Sequence, residues 1–328
     1  MQVIETIHLE QLIDQDQFPF VFLSEFAALH DQYLFIKNDF AVCPIQITKN
    51  KLGVTHASFQ FRPLAFDASN LSLGQESEFL SESLNFLKSD FGVDMVDAPD
   101  PMVIFQVHPE GSKWSKFGTR RVKTNDATRD GLFDAMHKNH KRAVKKALKE
   151  EVQLYSGRDQ LNEFAALHQR TMERSGKYFE PLSYFESMFD LLEPHVHLAV
   201  VKKDDELLGG SFCLHTKYAM YYLHGASADN VSVRGANNLV HFENMVYCAE
   251  QGISYYDFVG YRLNKSIDSK LQGIQTFKDR FGGELLEAEI WKKELNPAKL
   301  LFEKSAIKAL SLMKRTYYFS DLVDQTQE

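Results

Sequence analysis

No stretch of the 328 residues is apolar for the length of a membrane span. The N-terminus, with Glu5, Glu10, Asp14 and Asp16, lacks the basic-then-apolar order of a secretory signal. Cysteine is scarce: Cys43, Cys213 and Cys248 are scattered, odd in number and without metal-ligand spacing. That excludes a disulfide framework, and the apolar surroundings of Cys213 and Cys248 read as buried free thiols of a reducing compartment. There is no internal repeat, no low-complexity tract, no phosphate-cradling P-loop, and no Ser-His-Asp or Cys-His order. His195 and His197 share one strand face but have no further ligands beside them, and a metal site needs three or four. The expectation is a cytoplasmic protein with no metal and no tightly bound cofactor.

What is present is acidic, with one exception. The formal net charge is −8, from 37 basic and 45 acidic residues. Residues 113–149 alone carry 12 Lys or Arg against 3 Asp, which leaves 25 basic and 42 acidic residues elsewhere. An acidic chain with one concentrated basic segment meets one anionic ligand locally, whereas general nucleic-acid coating requires a broader basic surface. The length favours two domains of ordinary size.

In chain order, residues 1 to about 30 read as helical or irregular, anchored by Phe18, Phe20, Phe22 and Phe26. Strands are expected at Tyr33–Ile36 and Ala41–Thr48, joined by a turn at Lys37-Asn38-Asp39, and again at His56–Phe61. An amphipathic helix over Glu76–Lys88 turns Phe79, Leu80, Leu84 and Leu87 to one side, and strands follow at Val93–Asp97 and Met102–Val107. Gly131–Glu151 reads as one basic helix, with Lys138, Lys141, Arg142, Lys145, Lys146 and Lys149 on a broad face and Val144, Ala147 and Leu148 on the other. Such a face is either solvated or binds phosphate or nucleic acid. Beyond it, Asp159 is expected to cap a helix ending at Gly176, and Ser183–Glu186 to form a capping box for a helix with Phe185, Met188, Phe189 and Leu192 inward. Val196–Lys202 and Leu207–Leu214 form a hairpin, Tyr218–Gly225 a third strand, and Gly235–Gln251 a helix with Leu239, Phe242, Val246 and Ala249 inward. Asn296-Pro297 opens a last helix with Leu300, Leu301, Ile307 and Leu310 inward and Lys299, Lys304 and Lys308 interspersed. That helix either docks on the body or meets an anionic membrane.

The stretch Gly252–Gly283 organises the rest. Gly252 fits a helix C-cap, Ile253–Val259 a buried strand with a carboxylate, Asp257, inside it. A polar loop follows, then Gln275–Gly282, where Lys278 and Arg280 stand between Phe277 and Phe281 beside a Gly pair. Cations framed by aromatics there indicate an anion site; a surface helix anchored by its two Phe is the other reading. Asp257 is costly to bury unless satisfied, and serves either chemistry or structure.

Helix, helix, three antiparallel strands, helix, strand is the order of an acetyltransferase-type (GNAT) core. The basic helix with Arg142, the R-x-G at Arg174, "YYDFVG" and "GIQTFKDRFGG" resemble the Fem family of peptidoglycan bridge-forming aminoacyltransferases and the related GNAT-like acyltransferases of polysaccharide biosynthesis. The resemblance is strongest over residues 131–291, and no long helical arm is inserted. It implies an α+β fold of two tandem GNAT-like domains, each a mixed sheet flanked by helices: a degenerate one over residues 1–150 ending in the basic helix, and one over 151–328 with the C-terminal helix. It implies an aminoacyl- or acyltransferase using aminoacyl-tRNA or acyl-CoA as co-substrate, and a phosphate-bearing or lipid-linked precursor with an amine as partner. Charged tRNA and peripheral contact at the inner face of the membrane come with it, and a tRNA- or glycan-binding module is the non-enzymatic alternative. Lys278 is implied to stabilise the oxyanion, and Asp257 to orient Lys278 or take a proton. Arg142, Lys145, Lys138, Arg174, Arg280 and Tyr261 are implied on substrate or phosphate, and Arg234, Gly235, Ala236 and Asn238 as a donor loop at a helix N-terminus. Tyr222 and His224 alternate on the third strand and face either the cleft or the core.

Overall fold

The computed structural model describes residues 1–4, 9, 14–67, 70–229, 233–263, 269–314 and 321–326, with backbone alone at 15, 269–270 and 307–314. Its first part contains β1 (Gln2–Ile4), α1 (Ser24–Ala27), β2 (Tyr33–Lys37), β3 (Ala41–Lys49), β4 (Thr55–Phe59), β5 (Leu64–Ala65), α2 (Leu73–Phe91) and β6 (Met95–Val96). Next come β7 (Lys113–Lys123), α3 (Arg129–Ala135), α4 (Lys138–Lys149), β8 (Gln153–Ser156), α5 (Leu161–Arg174) and α6 (Leu182–Leu192). β9 (Val196–Lys203), β10 (Glu206–His215), β11 (Ala219–Ser227), α7 (Ala236–Glu250), β12 (Tyr255–Asp257) and β13 (Tyr261–Arg262) follow. The chain closes with α8 (Ser269–Asp279), β14 (Glu284–Glu294), α9 (Pro297–Lys314) and α10 (Leu322–Thr326).

Among the described residues the strands join in one sheet of order β1-β2-β3-β4-β6-β14-β7-β12-β11-β10-β9-β8, with β5 on β3 and β13 on β7. The β4–β6 and β11–β12 pairs are parallel and the others antiparallel. The expected α+β architecture, mixed sheet flanked by helices, is therefore borne out. β14 is the seam: Glu284–Lys292 pair with β7, and Lys293 and Glu294 pair with β6. β7 and α4, both before residue 150, belong to the second half-sheet and its helical layer, since β7 pairs with β12 and α4 packs on α7.

The three larger of the four hydrophobic cores among the described residues follow from this layering. Ile36, Ile45, Phe59, Phe79, Phe105 and Trp291 fill the first, between α2 and the first half-sheet. One face of the second half-sheet is covered by α5, α6 and the N-terminal Phe18–Phe26 segment, with Phe20 5.6 Å from the Tyr221 ring. The other face is covered by α4 and α7. The β9–β10 hairpin turns through Asp204 and Asp205 at φ 48° and 65°, the mirror-image turn that matches strand twist.

Several local expectations are corrected. Residues 2–4 form an edge strand on β2. Met102–Val107 is irregular apart from one bridge between Phe105 and Glu289. The basic segment is two helices, because Met136 and His137 are extended and the His137 Nδ1 accepts the Asn139 N–H to start α4 afresh. Neither Asp159 nor Ser183 caps a helix: α5 and α6 begin at Gln160 and Pro181 without a side-chain cap. Leu148 and Leu301 are exposed rather than inward. Leu300 is buried, while Lys299 pairs with Asp94 at 2.5 Å. Glu5 and Glu10, and the side chains of Ile307, Lys308 and Leu310, lie outside the described residues. Among the described residues no helix is long and apolar enough to cross a membrane.

Candidate functional site

β11 and β12 run side by side for three residue pairs only, Ala219–Tyr221 against Tyr255–Asp257. Beyond them a cavity of about 480 Å³ opens, walled by Tyr222 and Gly225 of β11, Phe258 after β12, Asn237 and His241 of α7, and Phe277 and Lys278 of α8. Thr171 and Lys177, from the end of α5 and the loop after it, form its outer rim. A parallel pair that separates while its two backbones stay otherwise bonded leaves polar main chain facing a concave, largely apolar space, the usual form of a ligand site.

Lys278 is only 9% exposed. Its Nζ donates to the Gly260 carbonyl at 2.8 Å and to the Val259 carbonyl. Burial pushes its pKa down to about 8, with Asp257 opposing the fall and Lys177 adding to it. Two of its three N–H donors are placed on the turn, and the side chain lines the cavity. His241 beside it is fully buried, has its pKa pushed down to about 3 by burial and then by the Lys278 charge, and meets the Tyr256 hydroxyl at 2.8 Å.

Asp257 is 8% exposed and faces the opposite side of the sheet, into a second cavity of about 480 Å³ shared with Arg62, Thr119 and Arg121. Its Oδ1 accepts the Thr119 hydroxyl at 2.5 Å and the Val259 N–H at 2.8 Å. Burial raises its pKa, while those two hydrogen bonds and the charges of Arg121 and Lys278 pull it back. Lys278 and Asp257 thus act on one short turn from its two faces.

The other expected residues separate into groups. Tyr261 donates to Asp279 at 3.1 Å beneath Arg120, one residue along α8 from Lys278. Arg280 is half-buried, and its carbonyl accepts the His137 N–H at 2.9 Å, which docks the start of α4 on the end of α8. His140 adds to that joint by meeting the Phe277 carbonyl at 2.9 Å. Arg174 pairs with Asp229 and donates to the Ser227 carbonyl at 3.2 Å, on the rim of the splay cavity. Arg142, Lys145 and Lys138 are exposed on α4; Arg142 donates to Asn139, and Lys145 sits 5.4 Å above the Phe133 ring. In the donor loop, Arg234 is exposed, Ala236 buried and Asn238 half-buried, and their neighbour Asn237 is the one that lines the cavity. Gly235 has φ 103°, and a Cβ there would lie 2.2 Å from the Ala143 carbonyl, so α4 packs directly against the first turn of α7. Tyr222 lines the splay cavity, and His224 faces the other side of the sheet with Tyr184.

Sequence reasoning missed Thr119, Lys177 and His241. Thr119 lies on β7, a strand not expected at all, and no spacing ties Lys177 or His241 to Lys278. The Phe-Gly-Gly signal has a clear physical basis: Gly282 and Gly283 sit at φ 87° and 75°, and a Cβ on Gly283 would fall 2.2 Å from the Arg121 carbonyl. The pair lets the chain leave α8 and enter β14 while pressed against β7.

Residues 134–278 match the acetyltransferase (GNAT) domain family. The lipid II:glycine glycyltransferase of Staphylococcus epidermidis is 26% identical over an alignment covering 49% of this chain and 54% of that one. The protein of the same name from Staphylococcus saprophyticus is 26% identical, covering 48% and 53%. The chain spans about half the length of these curated relatives. Among solved structures, FemX superposes with a TM-score of 0.67 at 18% identity, covering 92% of this chain and all of that one. The structure of L-PGS from Bacillus licheniformis superposes with a TM-score of 0.52 at 12% identity, covering 95% of this chain and 97% of that one. The domain match is centred on the splay, and there the chain is similar to Fem-family, GNAT-like proteins in sequence and in fold.

Proposed function

We propose that the chain is an aminoacyltransferase that forms an amide on an amine of a peptidoglycan precursor. The observation that carries this is the buried ammonium of Lys278, fixed on two carbonyls beside the cavity at the splay, which its side chain lines. When an amine attacks an ester, the new C–N bond forms as the carbonyl π pair moves onto oxygen. That oxyanion needs a preorganised donor, and one such contact is worth roughly 3 kcal/mol. Collapse breaks the C–O bond, and the proton lost by the amine leaves with the departing oxygen. Asp257, already occupied by Thr119 and Val259, acts on the turn in this reading. Arg142, Lys145 and Lys138 on α4, with Arg174 and Arg280, supply the cations for donor or acceptor phosphates, and Tyr261 steadies Asp279 at the end of α8. Aminoacyl-tRNA is the donor in this reading, and the lipid-linked form of the precursor the acceptor. Leu301 and Phe302, about two-thirds exposed on α9, are then a contact with the membrane surface; absence of sedimentation with anionic liposomes would remove that part.

A second reading, an acyl-CoA-dependent N-acyltransferase acting on an amino sugar, is favoured by one observation: the first turn of α7 reaches the cavity through Asn237. Calorimetry separates the two. Binding of charged tRNA and of a UDP-linked wall precursor, weakened by Arg142→Gln with Lys145→Gln, supports the first; binding of coenzyme A alone supports the second.

A further inference from the structure

The turn that carries β12 into β13 contains Val259 at φ 42°. A β-branched residue in that region is a backbone outlier, and it persists only where its surroundings over-determine it. Here they do. The Val259 N–H donates to Asp257 Oδ1 at 2.8 Å, and Asp257 is itself held by the Thr119 hydroxyl. The Gly260 N–H donates to the Pro101 carbonyl at 3.1 Å. The carbonyls of Val259 and Gly260 both receive the Lys278 ammonium. Gly260 is also at positive φ, 56°. In extended chain, successive carbonyls point to opposite sides; two consecutive left-handed residues bring theirs to bear on one point. The same turn is where three cavities meet: Asp257 lines the one between the half-sheets, Val259 a smaller one of about 230 Å³, and Phe258 and Lys278 the splay cavity.

We propose that Val259 is a positioning residue: its left-handed conformation, clamped by the Asp257 carboxylate, forms with Gly260 a two-carbonyl cradle that aims the Lys278 ammonium into the splay cavity. The proposal rests on Lys278 being the donor to the reacting carbonyl, and it gives Asp257 the task of clamping rather than of taking a proton. The ionisable groups bearing on Lys278 from the surrounding elements are Asp257, Lys177 and His241. Lys177 and His241 are the same in every variant below, and all three variants lack the Asp257 charge.

The test is competitive labelling of Lys278 with acetic anhydride across pH 6–11, read by mass spectrometry, in Asp257→Asn, Asp257→Ala and Asp257→Ala with Val259→Gly. Both single variants lose the negative charge, but only asparagine keeps an acceptor for the Val259 N–H. A lost carbonyl contact to a charged group is worth roughly one pH unit or more. The expected result is a Lys278 midpoint about one unit lower in Asp257→Ala than in Asp257→Asn, and a return most of the way when glycine, which holds positive φ without strain, replaces Val259. Equal midpoints in the two single variants, or no return on adding Val259→Gly, would overturn the proposal. If Asp257→Ala does not fold, recovery of folding by the added Val259→Gly is the expected result and failure of both overturns it. No substrate is used, so these outcomes are independent of whether aminoacyl transfer is found.

Discussion

Replacing Lys278 by methionine should change how stability depends on pH, in a direction set by its burial. The methionine fills a similar volume and carries no charge. In the native protein the Lys278 pKa falls from 10.5 to about 8. Below pH 8 the ammonium is present in both folded and unfolded chains, and the folded one bears the full cost of holding it away from water. Between pH 8 and 10.5 the folded chain gives up its proton first, the unfolded chain binds more protons, and stability rises with pH. About 2.5 units at 1.36 kcal/mol each make this an effect on the order of 3 kcal/mol. The variant lacks it. A second, pH-independent term comes from leaving the Val259 and Gly260 carbonyls without their donor, about 1–3 kcal/mol. That term shifts the level of the difference but not its shape. The assay is urea unfolding of both proteins from pH 6.5 to 10.5, with the free energy of Lys278→Met subtracted from that of the native protein. The difference should be flat to about pH 8 and then climb by roughly 3 kcal/mol; a difference that stays flat throughout would refute a buried ammonium at this position.

Asp257→Asn should gain on the native protein as pH rises from the ordinary carboxyl range through the raised pKa of Asp257. The folded chain binds the extra proton there and loses stability as it is removed; parallel pH–stability curves in urea would contradict this. Gly283→Ala should cost about 3 kcal/mol or more in urea unfolding, since the added Cβ meets the Arg121 carbonyl at 2.2 Å from a backbone at φ 75°; a loss under about 1 kcal/mol would show that the α8–β14 turn can shift. Arg142→Gln with Lys145→Gln should lower the salt slope of tRNA binding by about 1.5, two phosphate contacts' worth, and an unchanged slope would move the RNA elsewhere.

The elements that sequence reasoning located are those whose buried faces are strongly apolar. The β9–β10 hairpin, α7 and the helix of Phe185, Met188, Phe189 and Leu192 all have such faces. β7 escaped because its buried positions are Ser115, Phe117, Gly118, Thr119 and Val122, of which only Phe117 and Val122 are large and apolar. Backbone pairing on both sides by β12 and β14 stabilises it without an apolar stripe. β14 escaped for a related reason: its acidic and basic residues obscure a strand whose Ile290 and Trp291 are buried, and Lys292 is drawn in by Asp321 and Asp324. Those two strands are the seam on which Asp257 and the Gly282–Gly283 turn rest, so the positions of Lys278 and Asp257 were legible while their geometry was not. That the two groups approach one strained turn from opposite faces depends on φ at Val259, and nothing in "YYDFVG" signals a valine in that conformation.

The most direct test of the account is the mass of the acceptor. The purified chain is incubated with charged tRNA and a UDP-linked wall precursor bearing a stem-peptide amine, and the precursor is analysed by mass spectrometry. The account predicts a gain of one aminoacyl residue, bound as an amide, and loss of that gain with Lys278→Met. Transfer at the native rate by Lys278→Met, or no gain with any charged tRNA or with the lipid-linked form of the precursor, would contradict it.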